Sequence, residues 1–198
     1  MNTINHSNTV FLHLMTSMRI AMVTMLVCCG AYMLVILGFG RIVTPETADG
    51  SLVKDLNGNV VGSVLIAQKF SRPEYFHPRP SAVDYNAAAS GGSNLSPAGS
   101  KLAERAASVI DTMGGDHPSL IPADLVTESG SGLDPHITIE AAKYQAERVA
   151  KVRGLEPDTV MSLVMKQVKR PGGLFAPEPL VNVLMANMEL DQISRDHP

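Results

Sequence analysis

Three stretches of this 198-residue chain hold residue types that can do chemistry. The first is Tyr75-Phe76-His77-Pro78-Arg79-Pro80-Ser81, with Asp84 and Tyr85 just beyond. His77 offers a metal ligand or an acid–base group, and Arg79 a grip for carboxylate or phosphate. The plainer reading is favoured: prolines stiffen an extended segment that Arg and His tie down. The second stretch, Ser90-Gly91-Gly92-Ser93-Asn94, has the small residues and free amides of an anion nest. It lacks the Lys-Ser/Thr ending of a phosphate-binding loop, so turn geometry explains its glycines better. The third, running from Asp124 to His136, sets Asp134 and His136 beside Ser129, Gly130, Ser131 and Gly132. A Ser-His-Asp hydrolase using Ser131 and His136 is one reading, but no G-x-S-x-G elbow is present. His77, Asp84, Asp134 and His136 share no metal-ligand spacing. No one of these stretches makes an active site.

The elements that must position them begin with a membrane anchor. Residues 20–40 hold no charge and are closed by Arg19 and Arg41. A helix of that length spans about 31 Å, close to the hydrocarbon thickness of a bilayer. The run is longer than a signal-peptide core and ends without a small-residue cleavage site, so a retained single span is expected. Residues 1–19 read as a short, poorly ordered tail and residues 41–198 as one soluble domain. Along the span, Ala21, Thr24, Cys28, Ala31, Val35 and Gly38 recur at alternating spacings of three and four, a seam for close packing against another membrane helix. One Arg at each end leaves positive-inside counting even. An outside position for the soluble domain is the expectation.

Beyond the anchor stand all 19 acidic residues and 15 of the 16 basic ones, a balance of −4. That argues against nucleic acid and anionic membrane surfaces as partners, and suggests a mild concentration of cations, with Asp84 and Asp134 contributing. Both cysteines lie in the span, so the domain needs no disulfide.

The fold expected is α+β: helices packed on a small sheet, after one N-terminal transmembrane helix. Asn57-Gly58-Asn59 divides a hairpin with arms over 51–56 and 60–68. Ser96-Pro97 opens a helix with Leu102, Ala106, Val109 and Ile110 inward, ended by Gly114-Gly115. Thr138 caps a second helix, closed by Gly154, with Ala142, Ala146, Val149 and Ala150 inward. A third starts at Pro157, carries Val160, Leu163, Val164 and Val168 on one face, and stops at Pro171-Gly172-Gly173. Residues 180–190 read as a strand joining the hairpin, so that the sheet draws on both ends of the domain.

Taken in order, the three loops are specific together. With Gln145-Ala146-Glu147-Arg148-Val149-Ala150, Arg153-Gly154-Leu155, Val181-Asn182-Val183-Leu184 and the single span, the chain resembles the C subunit of the potassium-transporting Kdp ATPase over about residues 19–190. It departs at Ser96-Pro97 and at Leu180, where the family often has a basic residue. The resemblance implies a non-catalytic subunit of a bacterial inner-membrane pump, with its N-terminus cytoplasmic and its domain periplasmic. Implied partners are a channel-like potassium-selecting subunit, a P-type ATPase subunit and a small single-span subunit. The implied roles are assembly and action as a catalytic chaperone that raises ATP affinity. No tightly bound cofactor is implied, ATP entering only through the complex, with Gln145 the residue suspected of touching nucleotide. His77, Arg79, Ser81, the 90–94 loop, Ser129 to Gly132, Asp134 and His136 are then candidate subunit-interface positions. A membrane-anchored hydrolase or a ligand-binding module is the alternative.

Overall fold

The computed structural model describes residues 6–96, 98–113, 121–171 and 178–196. The chain divides into two compact units after Ser51.

In the first unit α1 (His6–Met25), a π-helical turn (Leu26–Ala31) and α2 (Tyr32–Val43) follow without a break. The 35 residues Thr9–Val43 are long and apolar enough to cross a membrane. The expected unstructured tail is therefore helical from His6 onward. Val10, Phe11, Leu12, Leu14 and Met18 make it apolar, and no Gly or Pro interrupts it. The helix stops where Pro45 disfavours helical geometry at Thr44, whose φ is −137°. Pro45 then opens the short α3 (Pro45–Ala48). The π-helical turn alters the expected seam. Such a turn holds about one residue more than an α turn, which rotates the faces on either side by roughly 100°. Ala21 and Thr24 before the turn, and Ala31, Val35 and Gly38 at or after it, are two stripes rather than one.

The second unit opens with the expected hairpin. β1 (Leu52–Lys54) pairs antiparallel with β2 (Val60–Ser63), with a bulge between Val53 and Lys54. The Asp55 carboxylate orders the turn by accepting from the amides of Asn57 and Asn59 at 2.9 and 2.8 Å. The second arm ends at Ser63, whose hydroxyl accepts from Leu65 N, rather than continuing to residue 68.

Three helices and a separate sheet build the core. Ahead of them lie α4 (Ser100–Met113) and the short α5 (Ala123–Val126). β3 (His136–Thr138) leads into α6 (Ile139–Arg153), followed by α7 (Pro157–Lys166), β4 (Val168–Lys169), β5 (Leu180–Asn182) and α8 (Val183–Asp196). β5 lies between β3 and β4, antiparallel to both. The hairpin is thus a sheet of its own, and β5 pairs with strands nearer in sequence, where closing the loop costs less entropy.

Several elements differ from the sequence reading. Only the first three residues of the 180–190 run are strand. The Asn182 side chain then accepts from Met185 N at 3.1 Å, capping α8, and Val183, Ala186, Asn187 and Leu190 bury one helical face. Val168 belongs to β4 rather than to the face of α7. α4 starts at Ser100, not beside Ser96, and its Leu102, Ala106, Val109 and Ile110 are half-buried outside the main core. α6 keeps its expected bounds, with Thr138 Oγ1 accepting from Ala141 N and Gly154 left-handed at φ 67°. The helix stops placed at residues 114–115 and 172–173, and Pro97, lie outside the described residues. Phe76, Leu125, Ile137, Val149, Val160, Val164, Val181 and Leu190 form the centre of the core.

Candidate functional site

Two buried amides clamp the first loop. Gln145 on α6 is 2% exposed, and its Oε1 accepts from the His77 amide at 2.8 Å while Nε2 donates to the His77 carbonyl at 3.1 Å. Asn187 on α8 does the same for Phe76: Oδ1 accepts from its amide at 2.8 Å and Nδ2 donates to its carbonyl at 3.0 Å. Each side chain imitates a neighbouring β-strand. Together they satisfy two consecutive backbone units that carry the Phe76 ring into the core, where unpaired polar groups would be costly.

Guanidinium groups secure the same loop. Arg148 donates to the carbonyls of Pro73 and Tyr75 and to Gln145 Oε1, the last at 2.9 Å. Arg153 reaches the Glu74 carbonyl at 2.8 Å, Asp191 at 2.7 Å and Ser194 Oγ at 2.9 Å. The Tyr75 ring lies between Arg72 and Arg153, 4.9 and 5.1 Å from its centroid, and its hydroxyl donates to Asp191. Burial, and next the Arg148 charge, push the His77 imidazole below its ordinary 6.5, against an opposing contact with the Arg72 carbonyl.

The three sequence motifs meet at the other end of this loop. Arg79 donates to Thr127 Oγ1 and the Glu128 carbonyl at 3.3 Å and pairs with Asp134 at 3.5 Å. Ser81 Oγ donates to the Gly132 carbonyl at 2.6 Å and accepts from the amides of Val83 and Tyr85. The Tyr85 hydroxyl, pushed up to about 12 by burial and then by Asp84, donates to the Arg79 carbonyl. From the second motif, Gly91 N and Ser90 Oγ both donate to the Ser131 carbonyl. The close approach requires glycine: a Cβ on Gly92 would lie 3.0 Å from the Gly130 carbonyl oxygen. At Gly132, with φ +71°, a Cβ would lie 2.6 Å from Val83 Cγ2. Ser93 and Asn94 continue beyond this knot, Asn94 exposed and left-handed at φ 51°.

The third motif is equally occupied. Ser129 Oγ accepts from the amides of Gly132 and Asp134 and lies 3.1 Å from Ser131 Oγ, which accepts from Leu133 N. Asp134 accepts from the His136 amide at 3.0 Å, and the His136 ring lies 3.6 Å from the same carboxylate. Burial raises the Asp134 carboxyl, but the His136 hydrogen bonds, the His136 charge and Arg79 outweigh it, so its pKa lies below 3.8. Ser131 and His136 each have other partners, and no hydrogen bond joins them among the described residues. No cluster of three metal-ligating side chains is found among the described residues. The arrangement is a densely cross-linked loop platform suited to presenting a surface, although Arg79 Nε is buried there without a hydrogen-bond partner.

Sequence reasoning missed Asn187 and Asp191, because the run holding Asn187 and leading to Asp191 reads as a strand, and missed the role of Arg153, whose partners lie 38–79 residues away. The spacing of Val183, Ala186, Asn187 and Leu190 was the available signal. It also missed the Arg105–Glu128 pair at 2.8 Å, which ties α4 to the third motif.

A family model described as the c chain of the K+-transporting ATPase, KdpC, matches residues 14–192. The chain is similar to the potassium-transporting ATPase KdpC subunit of Parvibaculum lavamentivorans, 44% identical over 177 residues, covering 89% of this chain and 95% of that one. The KdpC subunit of Myxococcus xanthus is 46% identical over 184 residues, with 90% and 87% covered. That of Gloeobacter violaceus is 44% identical over 184 residues, with 91% and 96% covered.

Proposed function

Because the chain belongs to the KdpC family, and so is an accessory subunit of a potassium-transporting ATPase complex, we propose that its work is non-catalytic docking. The apolar helix anchors it in the bacterial inner membrane, N-terminus in the cytoplasm, and the soluble unit stands on the periplasmic side. Its partners are the channel-like subunit, the P-type ATPase subunit and the small single-span subunit. It supports assembly and acts as a catalytic chaperone, raising ATP affinity of the hydrolysing subunit through the complex and not by holding nucleotide itself. A domain outside the membrane cannot touch a cytoplasmic ATP site, so any such effect is transmitted.

The carrying observation is the state of Gln145. Its amide is buried and both polar atoms are taken by His77 and Arg148. Reaching a nucleotide would strip the His77 backbone of its partners, a loss of about 1–3 kcal/mol for each buried group left unpaired. Gln145→Glu tests this in the whole pump: it keeps the acceptor bonds from the His77 amide and Arg148, gives up the donor bond to the His77 carbonyl, and adds a negative charge at the side chain a nucleotide would have to reach. The expected result is an ATP KM within about two-fold of wild type, whereas omitting the chain raises it several-fold. A ten-fold rise for Gln145→Glu, with the domain still folded, would restore direct nucleotide contact.

A further inference from the structure

The feature the loop platform does not use is the hairpin and the cleft beside it. A two-stranded ribbon is marginal by itself, yet this one leaves Leu52, Leu56 and Val60 more than half exposed, as Leu65 is just beyond it. Among the described residues no third strand pairs with it, so its edges keep free backbone groups. Between it and α8 lies a cleft of about 420 Å³, with Leu56, Val61, Phe70, Leu184 and Met188 among its apolar walls. That is room for a few side chains.

The charges in this cleft are unequally committed. Asp55 is held by its own turn, Asp191 by Arg153 and Tyr75, and Arg72 by Glu74 and the Tyr75 hydroxyl. Lys54, also on the wall, has no ion pair or side-chain hydrogen bond among the described residues, and neither has the Gln68 amide. The wall side chains with no hydrogen-bond or ion-pair partner among the described residues are therefore one cation, Lys54, and two neutral amides, Gln68 and Gln192, around an apolar floor.

We propose that the cleft receives an extended segment of another subunit of the same pump, one that presents apolar side chains together with a carboxylate facing Lys54. Main-chain pairing along the hairpin edge and pockets for alternate side chains are the established physics of such strand addition. The carboxylate supplies the complementary charge. The inference rests on the accessory-subunit reading and adds to it the surface and the chemistry of its partner.

A photoreactive benzoylphenylalanine in place of Leu56, in the full chain within the purified pump, tests it. Illumination is expected to join Leu56 to a soluble segment of a co-purified pump subunit, with an Asp, Glu or chain-terminal carboxylate close to the attachment point. At low salt, Lys54→Glu should lower the yield by about five-fold or more, and Lys54→Arg should preserve it, because a reversed charge repels what a conserved one attracts. Both residues are exposed, so neither change threatens the fold. A complete pump in which the probe attaches only to phospholipid, or to nothing, overturns the proposal. So does a yield indifferent to Lys54→Glu. Failure of the wild-type chain to co-purify with the pump would instead overturn the subunit reading.

Discussion

Gln145 and Asn187 show how a polar residue becomes structural when a helix buries it beside a loop with unpaired backbone. Truncating either removes two hydrogen bonds and strands an amide and a carbonyl in the interior, so Gln145→Ala and Asn187→Ala should each cost about 2–4 kcal/mol. Chemical denaturation of the full chain in detergent measures the cost, and amide exchange should accelerate first at Phe76 and His77. Titration gives a second expectation. The native His77 imidazole takes up a proton less readily than the unfolded chain, whose value is near 6.5. Stability is thus whole above that pH and declines as pH falls toward the lowered native value. Asp134, lowered from 3.8, adds a second decline as pH falls below that value through its native one. His77→Gln should abolish the first decline and leave the second.

At the scale of elements, glycines decide how closely two loops approach. Gly132→Ala combines left-handed strain with collision against Val83 and the Gly91 carbonyl oxygen, and should cost about 2–4 kcal/mol. Gly154→Ala has a similar φ of +67° but open space around it, so only about 1 kcal/mol is expected. Equal thermal shifts for the two variants would contradict the packing of loop on loop. In the membrane helix, the π-helical turn splits the small-residue seam into two faces. Ala31→Leu with Gly38→Leu should then weaken co-purification of the pump in mild detergent more than Met25→Leu with Ile36→Leu, since close helix packing needs small residues. Ala21→Leu reports on a different face, and its effect should add to that of the first pair.

Over the whole molecule, the net charge of −3 says less than its distribution. Asp84 is paired with Lys69 at 2.7 Å and Asp134 with Arg79, so neither is the free carboxylate that a cation-gathering surface requires. What the molecule offers a partner is shape: a clamped loop platform, an exposed hairpin and a long apolar helix. The expected mixed helix and sheet class is present, as is the apolar N-terminal helix, and the chain belongs to the family that its ordered motifs resemble.

Local rules sufficed where one stretch carried its whole signal. The uncharged run, the Thr138 cap with Gly154 after it, and the Asn57-Gly58-Asn59 turn each specify their element through neighbours a few residues away. The order of the three loops was legible for the same reason. Tertiary structure decided what depended on distant partners. Val181 and Val183 carry a β-branched signal and the 183–190 spacing a helical one, and burial against the core with the Asn182 cap decided for the helix from Val183 on. Gln145 reads in sequence as a polar surface or subunit-interface position on a helix, suspected through the resemblance of touching nucleotide. The 68 residues separating it from His77 hide the paired bonds that give it a role.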